Sequence, residues 1–349
     1  MKLKLDKKDL KPFLQSLMDE YNLFAPAQLA EGVYVFRKID HPDEVDLSCS
    51  NTQKPAKEVF FPQSETMFRY EKTGKQHQVT SAEEVERKRV ILGARPCDIQ
   101  AVSLLDEVFL GKEYTDSYYI NKRNATTIIG MACGQPLSTC FCSSTGGSPF
   151  LRKGSDLFFI DLGESFLVEL LTEKGKSFQK NKFFKEAKPE EISLAKAIEE
   201  KAVQKTDASV PIEGIEKRLD LMGESLFWDR VHEICMGCRV CTYLCPTCHC
   251  FDIVDEGEHQ QGQRVRNWDS CLSPLYSLET SGHNPRPSCR ERTRQRLMHK
   301  FSYFPTNFNK VACVGCGRCI LYCPVHFDIR KAILWTSSKR PKEFDGGMI

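Results

Sequence analysis

The sequence predicts two domains, an α/β or α+β domain over residues 1–210 and a mainly helical domain over 211–349. The first prediction comes from short alternating strands and from two apolar strands that run directly into loops or helices. The second comes from two cysteine runs joined by a segment that looks helical or irregular. A chain of 349 residues is long enough for this division.

Short elements fill the first 88 residues. Residues 7–20 carry apolar side chains at helical spacing and predict an amphipathic helix. Residues 32–39 alternate and predict a strand, and the stretches 59–61 and 66–70 predict two more. We expect these elements to form a scaffold without chemistry of its own.

Two apolar segments predict a sheet edge that carries cysteines. Residues 89–94 and 126–131 are expected to be buried, parallel strands. Cys97 follows the first strand at the start of a predicted helix over 98–110, and Cys133 follows the second strand. Ligands of open α/β sheets bind at the carboxyl ends of the strands, so this edge is a candidate site.

The end of the first domain shows no further candidate chemistry. Residues 156–171 alternate on both sides of Gly163 and predict a β-hairpin. Residues 173–205 are rich in lysine and glutamate, with a helix expected from about Pro189, and are interpreted as solvated surface. The domain boundary is expected near residues 207–211.

Two cysteine runs dominate the C-terminal domain. Residues 235–246 read CMGCRVCTYLCP, and residues 313–324 read CVGCGRCILYCP. Both have the spacing C-x₂-C-x₂-C-x₃-C-P, in which the fourth cysteine binds the other of two [4Fe–4S] clusters. The alternatives are a zinc site or a set of buried thiols, and zinc sites usually stop at four ligands in two pairs. The rule assigns one cluster to Cys235, Cys238, Cys241 and Cys323, and the other to Cys313, Cys316, Cys319 and Cys245.

The segment between the runs is longer than in a small bacterial ferredoxin, and residues 288–301 within it look helical. The sequence therefore predicts an α-helical ferredoxin-type domain. Three further cysteines lie here, Cys248, Cys250 and Cys271. They are either alternative ligands or structural neighbours of the clusters, and cross-ligation already fills both clusters without them. Arginines between the runs either form a solvated helix face, compensate cluster charge or dock an acidic partner.

The cysteines of the N-terminal domain suggest a third site. Four of them can meet at the predicted sheet edge: Cys97, Cys133, Cys140 and Cys142. They either hold a third [4Fe–4S] cluster or are buried thiols that pack as small apolar side chains. Asp98 can replace a missing cysteine ligand, although capping of the helix is the simpler interpretation.

Composition excludes several classes of protein. A net charge of +2 and a pI of about 7.8 do not suggest a nucleic-acid partner. Mean hydropathy is −0.40, and no apolar run approaches the length that spans a bilayer. The N-terminus lacks the apolar core of a signal peptide. Seventeen cysteines in such a chain favour a reducing, cytoplasmic compartment and metal ligation.

The sequence lacks the common motifs for nucleotide and hydrolase sites. It has no G-x-G-x-x-G after a strand, no G-x-x-x-x-G-K-[ST], no H-E-x-x-H and no G-x-S-x-G. We therefore expect no flavin or nucleotide on this chain alone and no complete active site. A chain with clusters and no hydride acceptor is most simply an electron carrier between other subunits.

Several motifs resemble one family of proteins. They are FAP at 24–26, CDI at 97–99, CPTCHC at 245–250, WDSC at 268–271, GHN at 282–284 and CVGCGRC at 313–319. Over almost its whole length the chain resembles a family that unites the iron–sulfur beta subunits of cytoplasmic sulfhydrogenases with the iron–sulfur subunits of anaerobic sulfite reductases. The resemblance implies an N-terminal α/β domain, a helical ferredoxin domain and a third cluster on the N-terminal cysteines.

The resemblance also implies partners. Members of this family work beside a flavin subunit that handles NAD(P)H and a catalytic subunit of the hydrogenase, sulfite reductase or heterodisulfide-reductase type. The leading hypothesis is therefore a relay of single electrons within an anaerobic, multisubunit oxidoreductase. The alternatives are a self-contained reductase with its active site at the N-terminal cysteines, and a structural cluster protein without redox cycling.

Overall fold

The computed structural model describes residues 2–81, 87–111, 113–206 and 209–337. Contacts divide the chain into two compact units. The first unit is Met1–Phe61 with Glu83–Asp207, and the second is Pro62–Ala82 with Ala208–Ile349. The sequence predicts a single boundary near residue 210. The structural division differs because the second unit also takes residues 62–82.

The strands, numbered along the described residues, are β1 (Lys2–Asp6), β2 (Asn22–Ala30), β3 (Val33–Lys38), β4 (Ser64–Thr73), β5 (Gln76–Ser81), β6 (Arg89–Ala94), β7 (Thr126–Met131), β8 (Leu157–Asp161), β9 (Ser165–Leu170), β10 (Lys185–Glu186), β11 (Phe251–Glu258) and β12 (Gln261–Trp268). The α-helices are α1 (Leu10–Glu20), α2 (Pro96–Phe109), α3 (Ser117–Ala125), α4 (Glu173–Lys176), α5 (Pro189–Gln204), α6 (Ile215–Asp220), α7 (Phe227–Glu233), α8 (Val240–Tyr243), α9 (Cys289–Met298), α10 (Phe304–Phe308), α11 (Arg318–Leu321) and α12 (Ile329–Thr336). Within the described ranges, no helix is both long and apolar enough to cross a bilayer.

The first unit is built on a mixed sheet with the strand order β10-β1-β9-β8-β7-β6-β2-β3. Strands β2, β6, β7 and β8 are parallel to one another, and the outer pairs are antiparallel. Alternate residues of β8 face opposite sides. Phe159 belongs to the core cluster that contains Phe13 of α1, whereas Phe158 belongs to the cluster that contains Ala195 of α5. Helices therefore cover both faces of the central strands, which explains why these strands are apolar throughout.

Most predicted elements of the first unit are confirmed. The predicted strands at 89–94 and 126–131 are β6 and β7, which pair in parallel. The predicted hairpin over 156–171 is β8 and β9. The predicted strand at 59–61 is wrong: Ala56–Val59 form a 3₁₀ turn. Phe61 after it packs its ring on Phe109, because a short apolar run can fill a core from a turn as well as from a strand.

The second unit contains a four-stranded antiparallel sheet with the order β11-β12-β4-β5. Strands β11 and β12 form a hairpin within the segment that we expected to be helical or irregular, so that prediction is wrong for residues 251–268. Charged residues conceal the alternation of β11, since most of its side chains are exposed. Its hairpin is stabilised by pairing of β12 with β4, which lies almost 200 residues earlier and cannot be seen in a local window. A buried ion pair of 2.5 Å between Arg266 and Glu65 supports this pairing.

The helices of the second unit carry residues that lie beside the cysteine runs. The predicted helix over 288–301 is confirmed as α9, whose first turn is capped by the Ser288 hydroxyl accepting from the Arg290 N–H at 3.1 Å. A π-helical turn, His299–Tyr303, continues α9 into α10. Such turns shift the side chains that follow out of α-helical register. Arg296 and Lys300, which precede and occupy this turn, are both buried.

Candidate functional site

The first cysteine run begins with a tight loop between α7 and α8. The Cys235 N–H donates to the carbonyl of His232 at 2.8 Å, which turns the chain out of the helix. Gly237 and Arg239 then adopt left-handed backbone conformations, with φ of 69° and 70°. Two such residues curl the loop and bring its cysteines to the same side.

The second run repeats this backbone shape. Gly315 and Gly317 have φ of 61° and 74°, and they stand at the same distances from Cys313 as the left-handed pair of the first loop stands from Cys235. A short helix follows each loop, α8 in the first run and α11 in the second. The equal cysteine spacing thus corresponds to equal local structure, as expected for two loops with the same binding task.

Cysteines of both runs line one cavity of the second unit. The cavity is lined by Cys235, Cys238 and Cys241 of the first run, by Cys319 and Cys323 of the second, and by side chains that include Arg239, Leu272, Arg296, Val325 and Phe327. The structure therefore brings together the four cysteines that the cross-ligation rule groups, and Cys319 of the other set beside them. The Cys323 sulfur also accepts the Phe327 N–H at 3.2 Å, the kind of hydrogen bond that cluster thiolates receive.

The second predicted set lies in a more buried environment. Burial raises the pKa of Cys313 to about 12 and the pKa of both Cys316 and Cys319 to about 11. Negative charge on Cys245 acts on all three thiols, so the four side chains lie near one another. Thiols that ionise reluctantly in water-free surroundings are stable as thiolates once iron replaces the proton.

Three buried cations, Lys300, Arg296 and Arg318, accompany these thiols, and Arg318 acts on Cys316. The Lys300 ammonium donates to the Cys245 sulfur at 3.3 Å, to the Thr247 hydroxyl at 3.0 Å and to the Ala312 carbonyl at 3.1 Å. Burial alone would lower the pKa of Lys300, but the neighbouring thiolates, Cys245 foremost, raise it well above its usual value. An unpaired buried charge is costly, so Lys300 indicates an anionic group at this point.

Arg296 is the second buried cation, with a side chain that is 3% exposed. The thiolates that act on it most strongly are Cys241 and Cys319, one from each predicted set. Arg296 therefore lies between the two sets. This position fits compensation of cluster charge, one of the roles considered for the arginines between the runs. Lys300 cannot be singled out from cysteine spacing. In an uninterrupted α-helix, its position four residues after Arg296 would place both side chains on one face.

The N-terminal cysteines lie at the sheet edge as predicted from the strand order. Cys97 is the second residue of α2, directly beyond β6, and Cys133 lies just beyond β7. The pKa of Cys142 is raised to about 12 by burial and by negative charge on Cys140 and Cys133. The loop after β7 thus brings these three thiols within electrostatic reach of one another. Helix α2 begins two residues earlier than predicted, so Asp98 lies inside its first turn and is 1% exposed.

Arg95 fixes the same edge and was missed from the sequence. Its guanidinium donates to the Ala132 carbonyl at 2.6 Å, to the Leu47 carbonyl at 3.1 Å and to the Cys49 carbonyl. It therefore ties the segment that precedes Cys133 to an earlier loop. Within the described ranges, no three His, Cys, Asp or Glu side chains converge tightly enough to hold a single metal ion.

The cysteines between the runs form two hydrogen-bonded contacts. Cys248 lies against Cys245, and its pKa is raised well above the usual value by that hydrogen bond and by burial. Cys250 lies against Cys271, and the Tyr276 hydroxyl also contacts Cys250. Cys248 is therefore a neighbour of a predicted cluster ligand, whereas Cys250 and Cys271 form a pair of their own.

Comparison with known proteins agrees with this geometry. The family model of the 4Fe-4S dicluster domain matches residues 234–327, which contain both runs. Over 335 residues the chain is 32% identical to sulfhydrogenase 2 subunit beta of Pyrococcus furiosus, and the alignment covers 95% of this chain and 97% of that protein. The chain belongs to the sulfhydrogenase beta-subunit family. No solved structure matches it.

Membership of the sulfhydrogenase beta-subunit family confirms the resemblance that the sequence motifs indicate. The match also extends through the N-terminal unit, since it covers 95% of the chain. Within this family member, the dicluster domain coincides with the part of the second unit that holds the cavity and these buried cations. The predicted iron–sulfur character is therefore confirmed for residues 234–327 at the level of the domain.

Proposed function

We propose that this chain is an iron–sulfur subunit that relays single electrons between two partner subunits of an oxidoreductase. The observation that carries the proposal is the cavity of the second unit, where cysteines from both runs meet. Its chemistry fits iron–sulfur ligation because thiolates supply the ligands and apolar side chains such as Leu272 and Phe327 keep out water. A bound [4Fe–4S] cluster supplies reversible uptake of one electron.

The ligand sets follow the cross-ligation rule. Cys235, Cys238, Cys241 and Cys323 hold one cluster, and Cys313, Cys316, Cys319 and Cys245 hold the other. Support comes from the shared cavity for the first set and from the mutual electrostatic influence of the thiols for the second. Because each run contributes one ligand to the other set, the loops hold the two sets close together.

Buried cations make the paired sets favourable. Arg296 balances negative charge from both sets, while Lys300 balances the set that includes Cys245. Without these charges, two anionic groups in one apolar region would repel each other and resist reduction. The buried cationic side chains therefore stabilise both the thiolate ligands and the electron that a cluster takes up.

The N-terminal sheet edge is proposed to hold a third cluster on Cys97, Cys133, Cys140 and Cys142. Its support is the loop that gathers Cys133, Cys140 and Cys142 beside the parallel strands, and the position of Cys97 in the first turn of α2. The N-terminal end of α2 is the positive pole of the helix dipole, which favours an anion. Asp98 serves as part of that turn and not as a ligand in this proposal.

The proposed partners are a flavin-containing subunit that handles NAD(P)H and a catalytic redox subunit. The relative from Pyrococcus furiosus is itself named as a subunit, which supports assembly with other chains. A relay needs both partners because a hydride donor delivers two electrons together and each cluster accepts one. We propose a cytoplasmic, anaerobic setting for the complex.

The proposal is tested by anaerobic purification of the tagged chain from its own cells. We expect about 12 irons per chain for three clusters, reversible reduction at low potential, and co-purification of a flavoprotein with a catalytic subunit. Partners are identified by mass spectrometry, and reduction is followed by electron paramagnetic resonance. The relay is contradicted if the chain purifies alone and reduces a substrate with only an artificial electron donor, because the sheet-edge thiols would then be an active site.

A further inference from the structure

Cys250 and Cys271 lie outside both proposed ligand sets and at the open end of a hairpin. The ladder of β11 and β12 ends with Phe251 opposite Trp268. Beyond it, the Asp269 N–H donates to the Cys250 carbonyl at 2.9 Å. The backbone on both sides is therefore fixed by hydrogen bonds, and the two cysteines are held near each other before any reaction takes place.

Several hydrogen bonds converge on the Cys250 sulfur. The Cys271 thiol, the Cys271 backbone and the Tyr276 hydroxyl all contact it, and the Lys300 charge acts on it as well. The Cys271 hydrogen bond, the largest of these effects, holds the pKa of Cys250 below the ordinary thiol value. The same hydrogen bond, together with burial, raises the pKa of Cys271. Cys250 is thus the thiol of the pair that ionises more readily.

The two residues differ in exposure. Cys250 is half-buried, whereas Cys271 is 6% exposed. Two cysteines in contact, of which the more exposed residue has the lower pKa, have the arrangement of an attacking and a resolving cysteine. Cys49 is different, because it is a buried thiol whose pKa burial raises and whose sulfur donates to the Asp46 carbonyl at 3.7 Å.

We propose that Cys250 and Cys271 form a redox-active dithiol that a low-molecular-weight disulfide oxidises to an intramolecular disulfide. The Cys250 sulfur attacks one sulfur of the small disulfide, whose S–S bond breaks and releases a thiolate. The Cys271 sulfur then attacks Cys250 in the mixed disulfide, and the second small thiol leaves with the proton of Cys271. The chain loses two electrons and one proton, and the small disulfide is reduced to one thiol and one thiolate.

This site goes beyond the proposed electron relay because it uses none of the proposed cluster ligands. The two sites are nevertheless adjacent through Lys300, whose ammonium bonds to Cys245 and whose charge acts on both Cys250 and Cys271. Formation of the disulfide removes one negative charge from the surroundings of Lys300. Oxidation of Cys250 and Cys271 therefore changes the electrostatic surroundings of Cys245, a proposed cluster ligand.

The proposal is tested on the full-length chain with its clusters, purified anaerobically and equilibrated with oxidised and reduced glutathione in increasing ratios. Free thiols are blocked with N-ethylmaleimide, and the digested protein is searched by mass spectrometry for a peptide that links Cys250 to Cys271. We expect the linked peptide in the unmodified protein and in the matched control Cys49→Ser, and its complete loss in Cys250→Ser. Iron content is measured in each preparation.

The variants also separate the two roles. In Cys271→Ser we expect glutathione to remain attached to Cys250, whereas in Cys250→Ser we expect no attachment to Cys271. The proposal is overturned if no linked peptide forms at any glutathione ratio, or if Cys250→Ser loses the iron of one cluster, since Cys250 would then be a ligand. Because Cys271 is buried and its variant can fail to fold, Cys250→Ser decides the question. Failure of the electron relay itself shows separately, as clusters that are not reversibly reduced.

Discussion

The Lys300 ammonium lies 3.3 Å from the Cys245 sulfur, and the lysine side chain is closed off from solvent. The thiolates that act most strongly on Lys300 are those of Cys245, Cys248 and Cys313, and none of the three belongs to the set that contains Cys323. Its positive charge therefore favours one proposed cluster over the other. The two clusters are expected to differ in reduction potential for this reason.

Replacement of Lys300 by methionine should lower the potential of that cluster. Loss of a nearby positive charge makes an added electron less favourable, by about 1–2 kcal/mol or roughly 50–100 mV at an effective dielectric constant near 20. The measurement is a potentiometric titration followed by electron paramagnetic resonance. Lys300→Arg retains the charge and serves as the control, with a much smaller shift expected. Equal shifts in all clusters of Lys300→Met, at unchanged iron content, would contradict the assignment.

The fourth cysteine of each run should belong to the cluster of the other run. Cys323→Ala is expected to remove the cluster held by Cys235, Cys238 and Cys241, and Cys245→Ala the cluster held by the second run, each with a loss of about four irons. The Lys300→Met shift identifies which cluster remains. Because Lys300 contacts Cys245, the shift should persist when combined with Cys238→Ala and disappear with Cys316→Ala. The opposite outcome would show that each run binds its cluster with its own four cysteines.

The proposed third cluster predicts a separate loss of iron. Cys133→Ser should reduce the iron content from about 12 to about eight per chain, while the low-potential signals of the other clusters remain. Cys49→Ser is the matched control, since Cys49 is also a buried thiol of the first unit whose pKa burial raises. An unmodified protein that already holds only about eight irons would exclude the third cluster and leave the relay through the second unit intact.

Arg239 is expected to strain the first cysteine loop. It adopts φ of 70° at the position where the second loop has Gly317, and a left-handed conformation costs a residue other than glycine about 1–2 kcal/mol. Arg239→Gly should therefore make the loop more stable, which is measured as a higher urea concentration for loss of the visible cluster absorbance. Gly317→Ala should shift that midpoint in the opposite direction. If Arg239→Gly weakened the protein, side-chain contacts of Arg239 would outweigh the backbone strain.

Much of the candidate site could be predicted from the sequence because ligation in a short loop is a local property. The spacing of Cys235–Pro246 and Cys313–Pro324 depends on how one loop wraps several thiolates, so it is written in consecutive residues. Strands β6 and β7 were equally visible, since burial on both faces makes their residues uniformly apolar. These strands also placed Cys97 and Cys133 at one sheet edge, and the family motifs supported a third site there.

Pairing between strands that are distant in the sequence produced the features that the sequence did not predict. The hairpin of β11 and β12 is stabilised by β4, and residues 62–82 join the second unit through it, because hydrogen bonds between distant strands leave no mark on local spacing. The same holds for Lys300: only the packed structure brings its ammonium to the sulfur of Cys245, 55 residues away. The sequence by itself determined which thiols are available for iron, whereas the tertiary structure decided which charges and which other thiols surround them, because burial and electrostatics depend on neighbours in space.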